Sequence, residues 1–257
     1  MSDELPVVFF FAAIGAVIGS FLNVCILRLP AEQSVVSPPS RCPKCGTGVR
    51  WYDNIPILSW LILRGRCRNC RNPISIQYPI IELATALIWA WMALRFGNEL
   101  ESIRGALFLT ILLGIAMTDA REYIIPDEFS YGGLILGLGF SLIWGLDGLK
   151  IAGIGAAVGF AVLWLIAWLG KHAFKKEAMG GGDIKMMAMV GAFVGWQGVF
   201  LTIFLGSVVG TIIFGPLALI GKKKDVPFGI FLALGAVVTF LWGALVMDWY
   251  RGYLGNP

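Results

Sequence analysis

Eight apolar stretches, from Pro6–Leu29 at one end to Phe228–Met247 at the other, leave this chain one environment in which to fold. Between them lie Ile80–Leu94, Gly105–Thr118, Phe129–Ile143, Ile151–Leu169, Met186–Val194 and Val199–Ile220. About 20 apolar residues of helix cross the hydrocarbon of a bilayer. No water is present there to satisfy backbone N–H and C=O groups, so each stretch is expected to close its hydrogen bonds internally, as a helix. A soluble domain would need more charge to cover its surface: of 257 residues 58% are hydrophobic and 14% charged, and the mean hydropathy is +0.79. The pattern predicts an all-α polytopic membrane protein of about eight spans. Met186–Val194 is too short to cross alone and is expected to be a half-helix sheltered by its neighbours.

Charge placement orients these spans. Asp3 and Glu4 stand where a cleavable leader would carry basic residues, so Pro6–Leu29 reads as a retained span whose N-terminus faces outward. Pro30–Tyr78 carries seven Lys/Arg against two acids, which marks the cytoplasmic side. Alternation then places Arg121, Lys171–Lys176 and Lys222–Lys224 in the cytoplasm, and Glu99–Glu101 and Asp147 outside. Trp144, Trp196 and Trp249 fall near span ends, as an interfacial belt requires. His172, among lysines, is expected to be a solvated loop residue. Gly19, Ser20 and Asn23 share one face of the first span and suit contact with other helices. Cys25, inside that span, reads as a small buried residue.

The other four of the five cysteines lie together, as Cys42-x-x-Cys45 and Cys67-x-x-Cys70 with 21 residues between the pairs. That spacing is close to the paired knuckles of a zinc ribbon. Two disulfides are the alternative, and a reducing cytosol argues against them. Four thiolates leave no open position, so the zinc would be structural and would hold together a segment too small for its own core. Arg64, Arg66, Arg68 and Arg71 read as topology signals, with anionic lipid head groups as an added partner. Nothing points to nucleic acid.

Membrane insertion does not explain Met179–Lys185, Met-Gly-Gly-Gly-Asp-Ile-Lys. A charge at membrane depth costs about 2.5–3.5 kcal/mol even on lenient scales, so Asp183 needs a reason to be there. Gly180, Gly181 and Gly182 form a loop that another chain can approach closely. The purely structural reading is a turn whose Asp caps a helix starting at Ile184. Gly105–Thr118 runs inward and ends at Asp119; Ile151–Leu169 also runs inward, so Asp183 meets the membrane on the same side. Two carboxylates held close together cannot both ionise cheaply. One keeps its proton, and the pair can activate water while donating to a carbonyl oxygen, as in an aspartic protease. Asp119 and Asp127 could instead serve helix ends near Arg121, but the shared side favours the pair. Lys185 would favour the ionised form of Asp183 if its ammonium reached it.

Asp119, Ile125-Pro126-Asp127 and Gly180-Gly181-Gly182-Asp183-Ile184-Lys185 resemble the GxGD membrane proteases, specifically the prepilin leader peptidases of type IV pilus and type II secretion systems. Gly19-Ser20-Phe21-Leu22-Asn23-Val24 with Arg28-Leu29-Pro30, both cysteine pairs, Trp51–Pro56, Arg64-Gly65-Arg66-Cys67, Tyr78-Pro79 with Glu82-Leu83, and Pro227-Phe228-Gly229 extend the resemblance over nearly the whole chain. It implies that Asp119 and Asp183 are catalytic, that Gly180, Gly181, Gly182 and Lys185 form the active-site loop, and that prepilins or pseudopilins are the substrates. It further implies an inner-membrane protein with site and zinc loop facing the cytoplasm. From the cysteine loop the resemblance also implies methylation of the new N-terminal amine with S-adenosylmethionine, for which no glycine-rich nucleotide loop or other donor signature stands in the residues. Glu82 and Asp53 match positions of the family without an assigned step. The implied organisation is a first span (1–29), a zinc-binding loop domain (30–78) and a membrane peptidase domain (79–257) completed by the first span.

Two other functions fit membrane acids. An ion-coupled transporter would place its acids at mid-depth and show a repeat between halves, whereas these acids sit at span ends on one side. A presenilin-like intramembrane protease would not need the cysteine loop or the Ile125-Pro126-Asp127 context.

Overall fold

A computed structural model of the chain describes residues 5–97, 99–175, 179–219, 227–253 and 255. Asp3, Glu4, Lys176 and Lys222–Lys224, used above to orient the spans, lie outside the described residues. The described residues form eight α-helices: α1 (Leu5–Arg28), α2 (Leu58–Ile62), α3 (Gln77–Phe96), α4 (Glu99–Glu122), α5 (Asp127–Ser141), α6 (Gly145–Phe174), α7 (Gly181–Leu219) and α8 (Phe228–Tyr253). No β-strand occurs among them, only isolated antiparallel bridges at Arg41–Gly48 and Arg66–Pro73.

Six helical stretches are long and apolar enough to cross a membrane, and two of these are interrupted. Asp127–Ala173 breaks between α5 and α6, at Gly145. α7 breaks at Gly195, whose φ of 71° and ψ of 175° are essentially restricted to glycine. With both breaks counted, each of the eight expected apolar segments is found largely as helix over its described residues, Ile220 lying outside them. The half-helix expected at Met186–Val194 is the part of α7 before the break, and its Met186, Met187, Met189 and Val190 are fully buried. A segment enclosed in this way does not have to cross by itself.

The chain divides into two compact units, Met1–Thr110 and Ile111–Pro257, with the boundary inside α4. In the first unit α1 packs on α3 through small residues. A Cβ on Gly19 would come within 2.8 Å of the Glu82 Cα. Beside it Asn23 donates its amide to the carbonyls of Gly19 (3.3 Å) and Tyr78 (3.1 Å), the packing role expected of that face. Trp89 Nε1 donates to Thr110 Oγ1 at 3.1 Å, tying α3 to the first half of α4. In the second unit α7 is central and packs on α5, α6 and α8. Past its break, Thr202 of α7 donates its hydroxyl to that of Thr239 in α8 at 3.1 Å.

Several helices run further than their apolar stretches, α4 and α6 among them. α4 continues through Glu122, so Asp119 lies inside its last turn. α6 continues through Phe174, so His172 is not a loop residue: its ring lies 4.3 Å from that of Trp168, and its Nδ1 lies 2.8 Å from the Trp168 carbonyl. Lys171 and His172 fall in the last turn of α6, where basic residues suit the negative end of the helix dipole.

Candidate active site and metal centre

Asp119 is buried near the C-terminal end of α4. That end offers a carboxylate no free amides, and the donors come from the start of α8 instead. The Ile230 N–H donates to Asp119 Oδ2 at 3.0 Å, and the Gly229 amide lies against the same carboxylate. Gly229 makes this approach possible, since a Cβ there would stand 2.9 Å from Asp119 Oδ2 and 2.8 Å from Ile125 Cδ1. After α4 the chain turns at Tyr123 (φ 56°) and passes through Ile125-Pro126 into α5. Ile125 also reaches the glycines of α7: a Cβ on Gly182 would lie 2.9 Å from the Ile125 Cβ.

Asp183 is buried in the first turn of α7, with the Gly180 amide against its carboxylate. The two acids are near enough for their charges to interact. Asp183 Oδ1 is buried and has no hydrogen-bond partner among the described residues. A buried carboxylate oxygen left open beside a second carboxylate is the geometry that receives a water molecule or a substrate group.

The glycines are placed differently from the expected loop. Gly181 and Gly182 are wound into α7, and only Gly180 of the three precedes it. The free amides and positive dipole of a helix start favour an acid in the first turn, which holds Asp183 on helix rather than on loop. Lys185 does not reach the acid pair. Its Nζ donates to both oxygens of Asp127 at 2.8 and 2.7 Å and sits 5.4 Å from the centre of the Tyr131 ring. Asp127 is thereby the link between the starts of α5 and α7. The holding of Asp119 by Gly229 and Ile230 was missed in the sequence. Its only signal is that Pro227-Phe228-Gly229 opens the last span, where free amides are expected.

The four loop cysteines converge. The Sγ atoms of Cys42, Cys45, Cys67 and Cys70 all lie within 4.8 Å of one another, and Cys42 and Cys70 are 3.7 Å apart. A tetrahedral zinc with bonds of about 2.3 Å needs sulfur separations of roughly 3.8 Å, so the set fits one ion. Each pair sits on the same kind of turn. Cys42 N–H donates to Thr47 O and Cys67 N–H to Asn72 O, while Gly46 N–H returns to Cys42 O and Arg71 N–H to Cys67 O. The Thr47 hydroxyl holds the Cys45 thiol down at about 6, and the amides of Cys70 and Asn69 lower that of Cys67. Burial and the neighbouring cysteines push Cys70 the other way, up to about 11, so two of the four thiols are poised to ionise as metal ligation requires. Arg68, between Cys67 and Cys70, donates to Asp53 at 2.6–3.0 Å and ties one knuckle to the Trp51–Asp53 turn.

Comparison with known proteins agrees with this anatomy. The profile described as "Bacterial Peptidase A24 N-terminal domain" matches residues 13–96, and the one described as "Type IV leader peptidase family" matches residues 106–215. The chain is 36% identical over 260 residues to the prepilin leader peptidase/N-methyltransferase of Aeromonas hydrophila, covering 91% of this chain and 90% of that protein. It is 35% identical over 275 residues to the protein of that name from Xanthomonas campestris, covering 95% and 94%. To the one from Myxococcus xanthus it is 39% identical over 218 residues, covering 85% of this chain and 65% of the relative. No solved structure matches significantly. With both profiles placed in order and relatives matched over nearly their full length, the chain belongs to the type IV leader peptidase family.

Proposed function

We propose that this protein is the membrane aspartic endopeptidase that removes the leader peptide of type IV prepilins or pseudopilins, and that it then methylates the new N-terminus. The observation that carries the first activity is the open Oδ1 of Asp183 beside Asp119. One carboxylate takes a proton from a water held between the two. The water oxygen attacks the scissile carbonyl, whose oxygen receives the proton of the other acid. The carbon–nitrogen bond then breaks, and the departing amine takes up a proton. The Ile230 amide fixes the orientation of Asp119 throughout. Lys185 acts at a remove, by holding Asp127 and with it the segment that carries Ile125.

Methylation is supported by the N-methyltransferase names of the relatives, and S-adenosylmethionine is the donor that supplies the methyl group. Cys42, Cys45, Cys67 and Cys70 would hold a structural zinc within the loop domain 30–78, between the first span and the peptidase domain 79–257. The excess of Lys and Arg in the loop supports a cytoplasmic side of the inner membrane for that domain, with anionic lipids as a partner, and span alternation supports the same side for the acid pair.

The test is prepilin cleavage in membranes containing Asp119→Asn or Asp183→Asn at matched protein levels. Each keeps the shape and removes a carboxylate, so cleavage should stop while expression and zinc content stay at parental values. Full activity in either variant rules out the pair.

A further inference from the structure

The first unit contains a cavity of about 700 Å³ that the aspartate pair does not line. Val24, Leu27 and Trp60 give it apolar wall; Asp53, Asn54 and Glu82 give it polar groups. Its size is within the roughly 300–1,000 Å³ of sites for small organic molecules. The unusual part of the wall is Glu82. It is a carboxylate 7% exposed, on a membrane-spanning helix, and it has no ion pair among the described residues. Its Oε2 accepts the Ile57 N–H at 2.7 Å, and the Ser20 hydroxyl lies against it.

Ile57 is strained where it makes that bond. Its φ of 62° and ψ of −52° put a β-branched residue at the centre of a positive-φ γ-turn, closed by the Leu58 N–H on the Pro56 carbonyl. Two costly features, a buried acid and a strained turn, therefore hold each other in place on one cavity wall. Strain that the surroundings maintain in this way gathers at ligand sites. Four arginines also line the cavity: Arg68 pairs with Asp53, Arg28 donates to the Ser34 and Pro38 carbonyls, Arg50 donates to the Tyr52 hydroxyl, and Arg41 completes the set. None of the four forms an ion pair with Glu82, which leaves its carboxylate open to a cation that comes from outside.

We propose that this cavity binds the methyl donor and that Glu82 holds its sulfonium cation by charge. The inference rests on the methyl-transfer reading above. Methyl transfer forms a bond from the lone pair of the substrate amine to the methyl carbon and breaks the carbon–sulfur bond, whose electron pair stays on sulfur. The new ammonium loses a proton to water. Glu82 thus faces a positive sulfur before transfer and a neutral thioether after it, and binds the donor more tightly than the spent product.

The test measures equilibrium binding of labelled S-adenosylmethionine to the purified full-length protein, with S-adenosylhomocysteine as neutral competitor. Parental protein should prefer the donor. Glu82→Gln, which can still accept the Ile57 N–H, should weaken donor binding by about tenfold and product binding by no more than about twofold, with zinc content and prepilin cleavage retained. Val24→Trp, which fills the cavity from α1, should abolish binding of both. Unchanged binding in Glu82→Gln, equal weakening of both ligands, or normal binding in Val24→Trp each overturns the proposal. Should Glu82→Gln fail to accumulate, ultraviolet crosslinking of the donor to parental protein decides: label within residues 20–82 supports the site, and label confined to 111–257 overturns it. A parental protein that neither binds donor nor methylates cleaved prepilin overturns the methyl-transfer reading itself. One that methylates but binds donor outside the cavity overturns only this inference.

Discussion

Asp119 and Asp183 come to one place from opposite ends of their helices, and their surroundings differ accordingly. Asp183 has the favourable end, the first turn of α7, while Asp119 has the unfavourable end of α4 and depends on amides borrowed from α8. Gly229 is what lets α8 come so near. In Gly229→Ala either the Asp119 carboxylate or Ile125 has to move, and a displacement well under 1 Å at a reacting group is costly. We expect Gly229→Ala to insert normally, keep its zinc and cleave prepilin at least about tenfold more slowly, measured as initial rate at matched protein levels. Asp127→Asn supplies the contrast. Its pair with Lys185 is 33% and 53% exposed at the two side chains, and such pairs contribute about 0–1 kcal/mol. Its rate should stay within about threefold of parental in the same assay, since a loss of that size corresponds to well under 1 kcal/mol.

At the scale of elements, the segment from Arg41 to Pro73 shows how a short stretch without a large core can be given one shape. Two matching Cys-x-x-Cys turns face each other, each beside one isolated β-bridge, and Arg68 links the second to Asp53. Exposed apolar side chains at Val36, Trp51 and Ile62 leave little burial to hold the loop together without metal. Structural zinc contributes on the order of 10–16 kcal/mol in comparable small sites, far more than this loop can obtain from contacts. Cys42→Ser with Cys45→Ser should therefore remove zinc, read by elemental analysis. Limited proteolysis should then cut between residues 40 and 75 while the helical circular dichroism stays near its parental value.

For the molecule as a whole, the acid pair belongs to the second compact unit and the cysteine cluster to the first. The two groups of residues are therefore expected to serve separate activities. Folded variants of the cysteine loop, or parental protein stripped of zinc by a chelator, should lose methyl transfer to a much greater extent than cleavage. Mass spectrometry of prepilin incubated with labelled donor reads both in one sample. Equal loss of the two activities across several such variants would mean one interdependent site.

Much of this was legible in the chain. Lipid offers no partner to a backbone amide, so each long apolar run had to be a helix, and its length alone nearly counted the spans. Two cysteine pairs at knuckle spacing could close on one ion because the chemistry of four thiolates needs little else. Asp119 and Asp183 could be paired because a span has only two ends and alternation assigns both acids to one side. What tertiary structure alone decided is which groups surround them. Lys185 is two residues from Asp183 yet binds Asp127, and Asp119 is held by amides more than 100 residues away. Glu82 meets the strained Ile57 only because the loop folds back over α3. These meetings depend on how closely helices and turns approach, and that closeness is set at glycines and backbone amides, which leave no periodic pattern to read.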